Sequence, residues 1–303
     1  MTEVAGGGRT LAGIGLGLIA VTGWAYYNVG TELARAEGFR PADLAALRFG
    51  VGALVLLPCF VLARGWRLPQ RRLMLFALIV GPPFALLFNT GFQLAPLSHA
   101  VVIGPGMSVL VALALVRFVD GQRMPPLRLV GLALLMAGLV AIGADRADTG
   151  KASGLPAVLG DLCFVATGSL WGLFSWLLAR WRLPPVQAAA GLALYSAAVF
   201  LPAWFVVWGV PELSAAAWAH QAVAQGLIGG SGAPVAFAAA LAILGAGRGS
   251  VFNALVPPAA VLMAMPVAGI LPNPLQWAGV ALASTGLVLS MAVGGMRRNG
   301  SEG

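Results

Sequence analysis

The spacing of the apolar runs restricts this chain more than any other feature. Ten stretches of roughly twenty residues carry almost no charge, and short polar links part them. They fall near residues 10–30, 42–63, 73–94, 98–118, 127–145, 155–179, 186–208, 217–244, 249–270 and 274–295. A helix needs about 20 apolar residues to cross the hydrocarbon of a bilayer. Backbone polar groups there must be satisfied within the segment itself, which favours helices. No soluble core absorbs this composition: 59% of the 303 residues are hydrophobic and 9% charged. Soluble chains are about a quarter charged. The sequence therefore predicts an all-α integral membrane protein of ten transmembrane helices, with the lipid bilayer as its solvent. The first run lacks a small-residue cleavage signature and reads as a permanent helix rather than a signal peptide.

Charge excludes other classes. The net charge is +8, but the basic residues stand singly between apolar runs, with no basic face interleaved with aromatics, so nucleic acid is no partner. Cys59 and Cys163 sit inside apolar runs and imply neither a disulfide framework nor a metal site. No phosphate-binding glycine loop is present, so ATP does not drive the protein directly, and no cofactor is expected.

With ten spans both termini share one side. Arg9, Arg64, Arg67, Arg71, Arg72, Arg117, Arg123, Arg128, Arg180, Arg182, Arg248, Arg297 and Arg298 fall there. The other side holds Arg35, Arg40, Arg146 and Lys151, with most acids: Glu32, Glu37, Asp43, Asp145, Asp148 and Glu212. Thirteen cations against four place both termini in the cytoplasm, in a multi-pass protein of the cell (inner or plasma) membrane.

The chain also repeats itself. PLRLVGLALLMAGLV (Pro126 to Val140) and PLQWAGVALASTGLV (Pro274 to Val288) share eight of fifteen positions. These segments open the fifth and tenth spans, so the repeat unit is five helices, residues 1–150 and 151–303. An odd number of helices enters the membrane the opposite way the second time. Pro82 and Pro105 match Pro234 and Pro257, Ser98 matches Ser250, Trp24 falls opposite Trp171, and Pro58 opposite Pro202. Two inverted five-helix repeats can exchange conformations and open a site to either side in turn.

Several segments resemble a known family. GWAYYNVGTELARAEGFRPADLAALRFG, with Trp24, Pro41 and Arg48, looks like the first two helices of EamA-type drug/metabolite transporters. SHAVVIGPGMSVLVALALVRFVDGQRMPPLRLVGLALLMAGLV is similar to the end of that family's first repeat, and GDLCFVATGSLWGLFSWLLARW to the start of its second. Asp120 stands near where many members carry Glu, and VAGILPN in the second repeat has no acid there. Within the family the chain is most like YddG-type exporters of aromatic and other neutral amino acids. The resemblance implies a transporter rather than an enzyme.

Helix interruptions locate the expected site. VGPPFALLFN, GPGMS, GGSGAPVAF and ALVPPAA interrupt the third, fourth, eighth and ninth spans, around Pro82, Pro105, Pro234 and Pro257. Matched interruptions in both halves point to a transporter site, although a single membrane proline can also be a plain kink. Polar candidates for substrate contact are Asn28, Asn89, Gln93, Ser108, Ser175, Ser231 and Asn253; aromatic ones are Trp24, Phe84, Phe88, Trp171 and Phe237. Each aromatic has packing or lipid contact as its bland alternative. Gly249, Asn253 and Pro257 share a helix face, so Asn253 is expected to turn toward the carbonyls freed by Pro257. Trp24 and Trp171 are expected to line a central cavity. Trp66, Trp181, Trp208, Trp218 and Trp277 lie near span ends as interface anchors.

No Lys, Asp or Glu lies at mid-membrane, and Asp161 is near the mouth of its helix. A neutral site suits a small zwitterion with an apolar side chain, exported by facilitated diffusion. A proton-coupled exporter using His99 is the alternative. Arg48, about two turns inside its span, either snorkels outward or pairs with Glu32 or Asp43. The remotest reading is an intramembrane serine protease, because GGSG around Ser231 resembles a rhomboid nucleophile motif. Its base would be His99, near a loop, or His220, about 16 Å away along one helix. The sequence sets no oligomeric state; a monomer suffices.

Overall fold

In a computed structural model the described residues are 2–95, 97–122, 124–143, 155–268 and 271–296. Arg123, Asp145, Arg146, Asp148, Lys151, Arg297 and Arg298 lie outside them, as do the side chains of Glu32, Arg35 and Ser98. All regular structure among them is helical: α1 (Thr2–Ala36), α2 (Pro41–Leu62), α3 (Gln70–Val80), α4 (Pro82–Leu94), α5 (Leu97–Phe118), α6 (Pro126–Gly143), α7 (Leu155–Trp181), α8 (Pro185–Val207), α9 (Ala215–Gln221), α10 (Ala233–Leu244), α11 (Ala246–Gly249), α12 (Val256–Ala268) and α13 (Pro274–Met296). A π-helix, Ala222–Gly232, joins α9 to α10, and a 3-10 stretch, Ser250–Leu255, joins α11 to α12. Among the described residues seven helical stretches are long and apolar enough to cross a membrane, and Ile103–Phe118 and Pro126–Ala141 are shorter apolar helices.

Local chemistry sets the ends. Proline opens α2, α6, α8 and α13, where a missing N–H costs nothing and the fixed φ suits a helix. At α13 the Asn273 and Gln276 side chains accept each other's backbone N–H groups at 2.9 and 3.0 Å, a reciprocal cap. Gly81 ends α3 at φ −85°, ψ −138°, and Pro82 starts α4. By contrast α5 runs through Pro105 unbroken.

The chain forms two compact units. The first comprises residues 1–90 and 177–243, the second residues 91–176 and 244–303, so each draws on both halves of the sequence. In the first unit α2 packs on α8 through small residues: Ala42, Ala45, Ala46 and Ala53 cluster with Ala189, Ala190, Ala193 and Ala197, and Phe49 and Phe200 share the same core. In lipid such close van der Waals fit, rather than water exclusion, binds helices. At the head of α2, Asp43 is fully buried and accepts from Arg40 Nε, Arg40 Nη2, the Arg40 backbone N–H and Trp204 Nε1, each at 2.8 Å. The same Arg40 donates to the carbonyls of Trp208 and Gly209 at 2.7 Å, tying this corner to the end of α8. Its hydrogen bond to Asp43 raises the Arg40 pKa above the ordinary arginine value.

In the second unit the repeated motif packs on itself. A Cβ at Gly131 would come within 2.8 Å of Gly286 O, and one at Gly138 within 2.6 Å of Gly279 O. Contacts 131–286 and 138–279 run in opposite directions, so α6 and α13 are antiparallel. Equivalent glycines of the two motif copies meet crosswise.

Candidate functional site

In the first unit α1 turns Trp24 and Tyr27 inward. Trp24 meets Phe237 of α10 edge to face, centroids 5.1 Å apart, and both are buried. Asn28, one turn on, is half-buried. On α4, Phe84 and Phe88 stack at 5.8 Å. Asn89, buried beside them in sequence, donates to Pro41 O at 3.1 Å; its Oδ1 has no hydrogen-bond partner among the described residues. Ser231, in the π-helix, donates to Leu227 O at 2.5 Å and Gly226 O at 3.3 Å. Its lone pairs stay able to accept. Pro82 and Pro234 sit at the starts of α4 and α10.

The π-helix fits because glycines let it approach α1 and α2. A Cβ at Gly230 would strike Arg48 O, one at Gly229 the Tyr27 ring, and one at Gly226 Val51. Gly52 answers from α2, where a Cβ would lie 2.9 Å from Gly230 O. π-turns often mark functional sites.

Arg48 belongs to this junction and turns inward: it is 5% exposed. Its Nη1 donates to Tyr27 Oη at 3.3 Å, and Cζ lies 5.2, 5.8 and 5.9 Å from the Tyr27, Phe49 and Phe84 ring centres. Asp43, one of the partners expected for it, is held by Arg40 instead. Sequence reasoning also missed Gln221 and Gln225, both fully buried. Gln221 Nε2 donates to Gly30 O at 3.0 Å, and Gln225 Nε2 to Thr31 Oγ1 at 3.1 Å. The signal was available: amides this far into an apolar run need partners.

In the second unit, Trp171 and Ser175 lie one turn apart on α7. Trp171 packs against Phe174 with centroids 5.4 Å apart, and Ser175 donates to Trp171 O at 2.8 Å. Asn253 stands in the 3-10 stretch before Pro257. Its Nδ2 donates to Ser108 Oγ of α5 at 3.1 Å, so this amide turns to a hydroxyl on the neighbouring helix rather than to the carbonyls near Pro257. Pro105 lies one turn before Ser108 within the continuous α5. His99 Nδ1 lies 2.7 Å from Asp161 Oδ1, linking the starts of α5 and α7. Among the described residues no three His, Cys, Asp or Glu side chains converge as a metal site would require.

The serine-protease constellation does not assemble within the first unit. His220 Nε2 lies 3.3 Å from Tyr26 Oη and its Nδ1 3.3 Å from the Gln221 amide, while Ser231 turns to its own helix.

No curated protein sequence matches the chain. Twenty-nine chains of solved structures do. One, a crystal structure named only as that of a protein, aligns over 97% of this chain and 99% of its own, with TM-score 0.73 and 21% identity, so the two share a fold. The family model described as the EamA-like transporter family matches twice, over residues 11–144 and again over residues 158–292. Two successive matches to one family, spanning nearly the whole of a helical, apolar chain, mean that this protein belongs to the EamA-like transporter family and is a multi-pass membrane transporter of the drug/metabolite type.

Proposed function

We propose that the protein exports small neutral metabolites, aromatic or other neutral amino acids of the YddG type, by alternating access and facilitated diffusion. Ten helices form two inverted repeats, residues 1–150 and 151–303, with both termini in the cytoplasm. The observation that carries the mechanism is the antiparallel contact of α6 with α13. The same motif, written twice, meets itself crosswise at Gly131–Gly286 and Gly138–Gly279, which is how inverted copies pair. In the first unit Trp24, Asn28, Phe84, Phe88, Asn89, Ser231 and Phe237 are the substrate-contacting residues. In the second, Ser108, Trp171, Ser175 and Asn253 play that part. Rings accept an apolar side chain; amide and hydroxyl groups accept the polar end. The helix changes at Gly81–Pro82, Pro234 and Pro257, together with Pro105, supply the gating points.

Counterflow in proteoliposomes, with a panel of amino acids and equal pH on both sides, tests the function directly. Robust exchange is expected, and no exchange of any amino acid would refute it. In the same assay Trp24→Ala and Trp171→Ala should each slow transport while folded protein persists in the membrane. Unchanged rates in both would remove these two residues from the site. Asn253→Ala should lower apparent affinity roughly ten- to a hundredfold, since losing one hydrogen bond that orphans its partner costs about 1–3 kcal/mol. Labelling of a cysteine placed at Gly300, outside the described residues, should require permeabilised cells; labelling of intact cells would reverse the topology.

A proton-coupled reading has one specific observation behind it, the His99–Asp161 pair at 2.7 Å. Net flux that stops when the pH gradient collapses, and is altered by His99→Gln, would favour it over facilitated diffusion.

A further inference from the structure

The surroundings of Arg48 narrow the substrate class, given the carrier reading above. Arginine keeps its charge in proteins, and a buried charge is costly unless an opposite charge answers it. Arg48 is 95% buried, yet its neighbours are a phenol oxygen and three ring faces. These stabilise a cation without neutralising it. Asp43 is occupied by Arg40 and Trp204. Among the described residues no carboxylate forms an ion pair with Arg48. An ionisable group at this depth marks a substrate path by default.

We propose that Arg48 is the seat of a substrate carboxylate. The guanidinium fork matches a carboxylate in two parallel hydrogen bonds, and the Tyr27 and Phe84 rings, with Phe88 stacked on Phe84, face an apolar body. Among the described residues this cluster holds one cation, which answers the single charge of a carboxylate better than the nearly double charge of a phosphate monoester. The carried molecule is thus a small carboxylate or zwitterion with an apolar body. Amides and esters of the same body are rejected, since they leave the cation unanswered.

The test uses the full chain, purified in detergent, with L-phenylalanine, phenylpropionate and phenylalaninamide as probes. Thermal unfolding is followed for wild type, Arg48→Met, Arg48→Lys and Glu32→Gln, and flux of the same probes is measured in proteoliposomes. Phenylalanine and phenylpropionate should raise the wild-type midpoint and phenylalaninamide should not. Arg48→Met should weaken both acids by about 100-fold or more, and Arg48→Lys should retain part of the response. Without ligand, Arg48→Met should unfold no lower than wild type, because no internal charge is orphaned and the Tyr27 hydroxyl loses only one long hydrogen bond of 3.3 Å. The proposal is overturned if ligand-free Arg48→Met and Glu32→Gln fall together, which would mark an internal ion pair. It is equally overturned if the amide stabilises wild type as well as the acids do, if Arg48→Met keeps the response, or if no probe shifts wild type. Wild-type flux of the amide without any carboxylate response would end this inference and leave the carrier standing. Phenylpropionate bound through Arg48 with no amino-acid flux would end the amino-acid reading and leave the inference.

Discussion

Gly138→Leu is expected to abolish accumulation of folded protein. At Gly138 a Cβ would sit 2.5 Å from Ala283 N and 2.6 Å from Gly279 O. Both are backbone atoms of α13, so no rotamer relieves the clash; the two helices must part. Their separation would lose the close approach at Gly131 and Gly286 as well, since the four glycines form one continuous line of contact. Overpacking alone costs about 1–3 kcal/mol where side chains can yield. Here the backbone must move, and the cost exceeds about 4 kcal/mol, within reach of the whole stability of a typical domain. Gly15→Leu is the control, since its Cβ would meet nothing within 4 Å. The monodisperse fraction after detergent extraction, followed by size exclusion, separates the two. Gly138→Leu folding as well as Gly15→Leu would mean that α6 and α13 do not pack this way.

Asp43→Ala should be the costliest polar truncation in the first unit. One buried carboxylate there answers four donors at 2.8 Å, one of them the N-terminal cap of α2 and another the Trp204 indole. Removing it orphans the indole N–H and releases Arg40, whose bonds to Trp208 and Gly209 then lose their anchor. Breaking a buried pair costs about 3–5 kcal/mol. The Arg40 side chain is 37% exposed and partly screened, so about 2–4 kcal/mol is expected. That lowers the thermal midpoint by about 10 °C. Asp43→Asn keeps an acceptor for Trp204 and should fall less than half as far. Equal losses in both variants would show that charge, not hydrogen bonding, carries the corner.

Much of this was legible in the sequence, and the gaps have physical causes. Runs of apolar residues mark the helices, and Pro126 and Pro274 mark the starts of two of them, because both signals are local. The change of direction at Gly81–Pro82 was legible for the same reason. In sequence Pro105 reads as an interruption, but α5 continues through it: one missing N–H removes one bond, and the turns on either side hold. The repeat was read as a topological signal; that its glycines touch each other needed coordinates. The sequence leaves Arg48 to snorkel outward or to pair with Glu32 or Asp43, because its distance along the helix is legible and its facing is not. Which acid takes which arginine at the head of α2 depends on where Trp204 arrives from α8, 161 residues away in sequence. Gln221 and Gln225 stand out only as amides in an apolar run; their partners Gly30 and Thr31 lie 191 and 194 residues away in sequence. Of the aromatic and polar candidates, Trp24, Phe84, Asn89, Ser108, Trp171, Ser175, Ser231 and Phe237 are buried, as an inward helix face requires.

The π-helix also bears on how chain length can drift in descent. In an ordinary α-helix, deleting a residue turns everything beyond it by about 100° and carries buried faces out to lipid. The stretch Ala222–Gly232 already holds surplus residues in its wide turns. A deletion there can be taken up by tightening a wide turn to an α-turn, leaving Phe237 and the rest of α10 pointing as before. The stretch stands just before Ala233 and Pro234, and its counterpart in the first half, before Pro82, is an open break at Gly81 rather than a stretched coil. Insertions and losses between related chains should therefore collect in this segment of the second half, and the two halves of one gene can differ in length here without differing in fold.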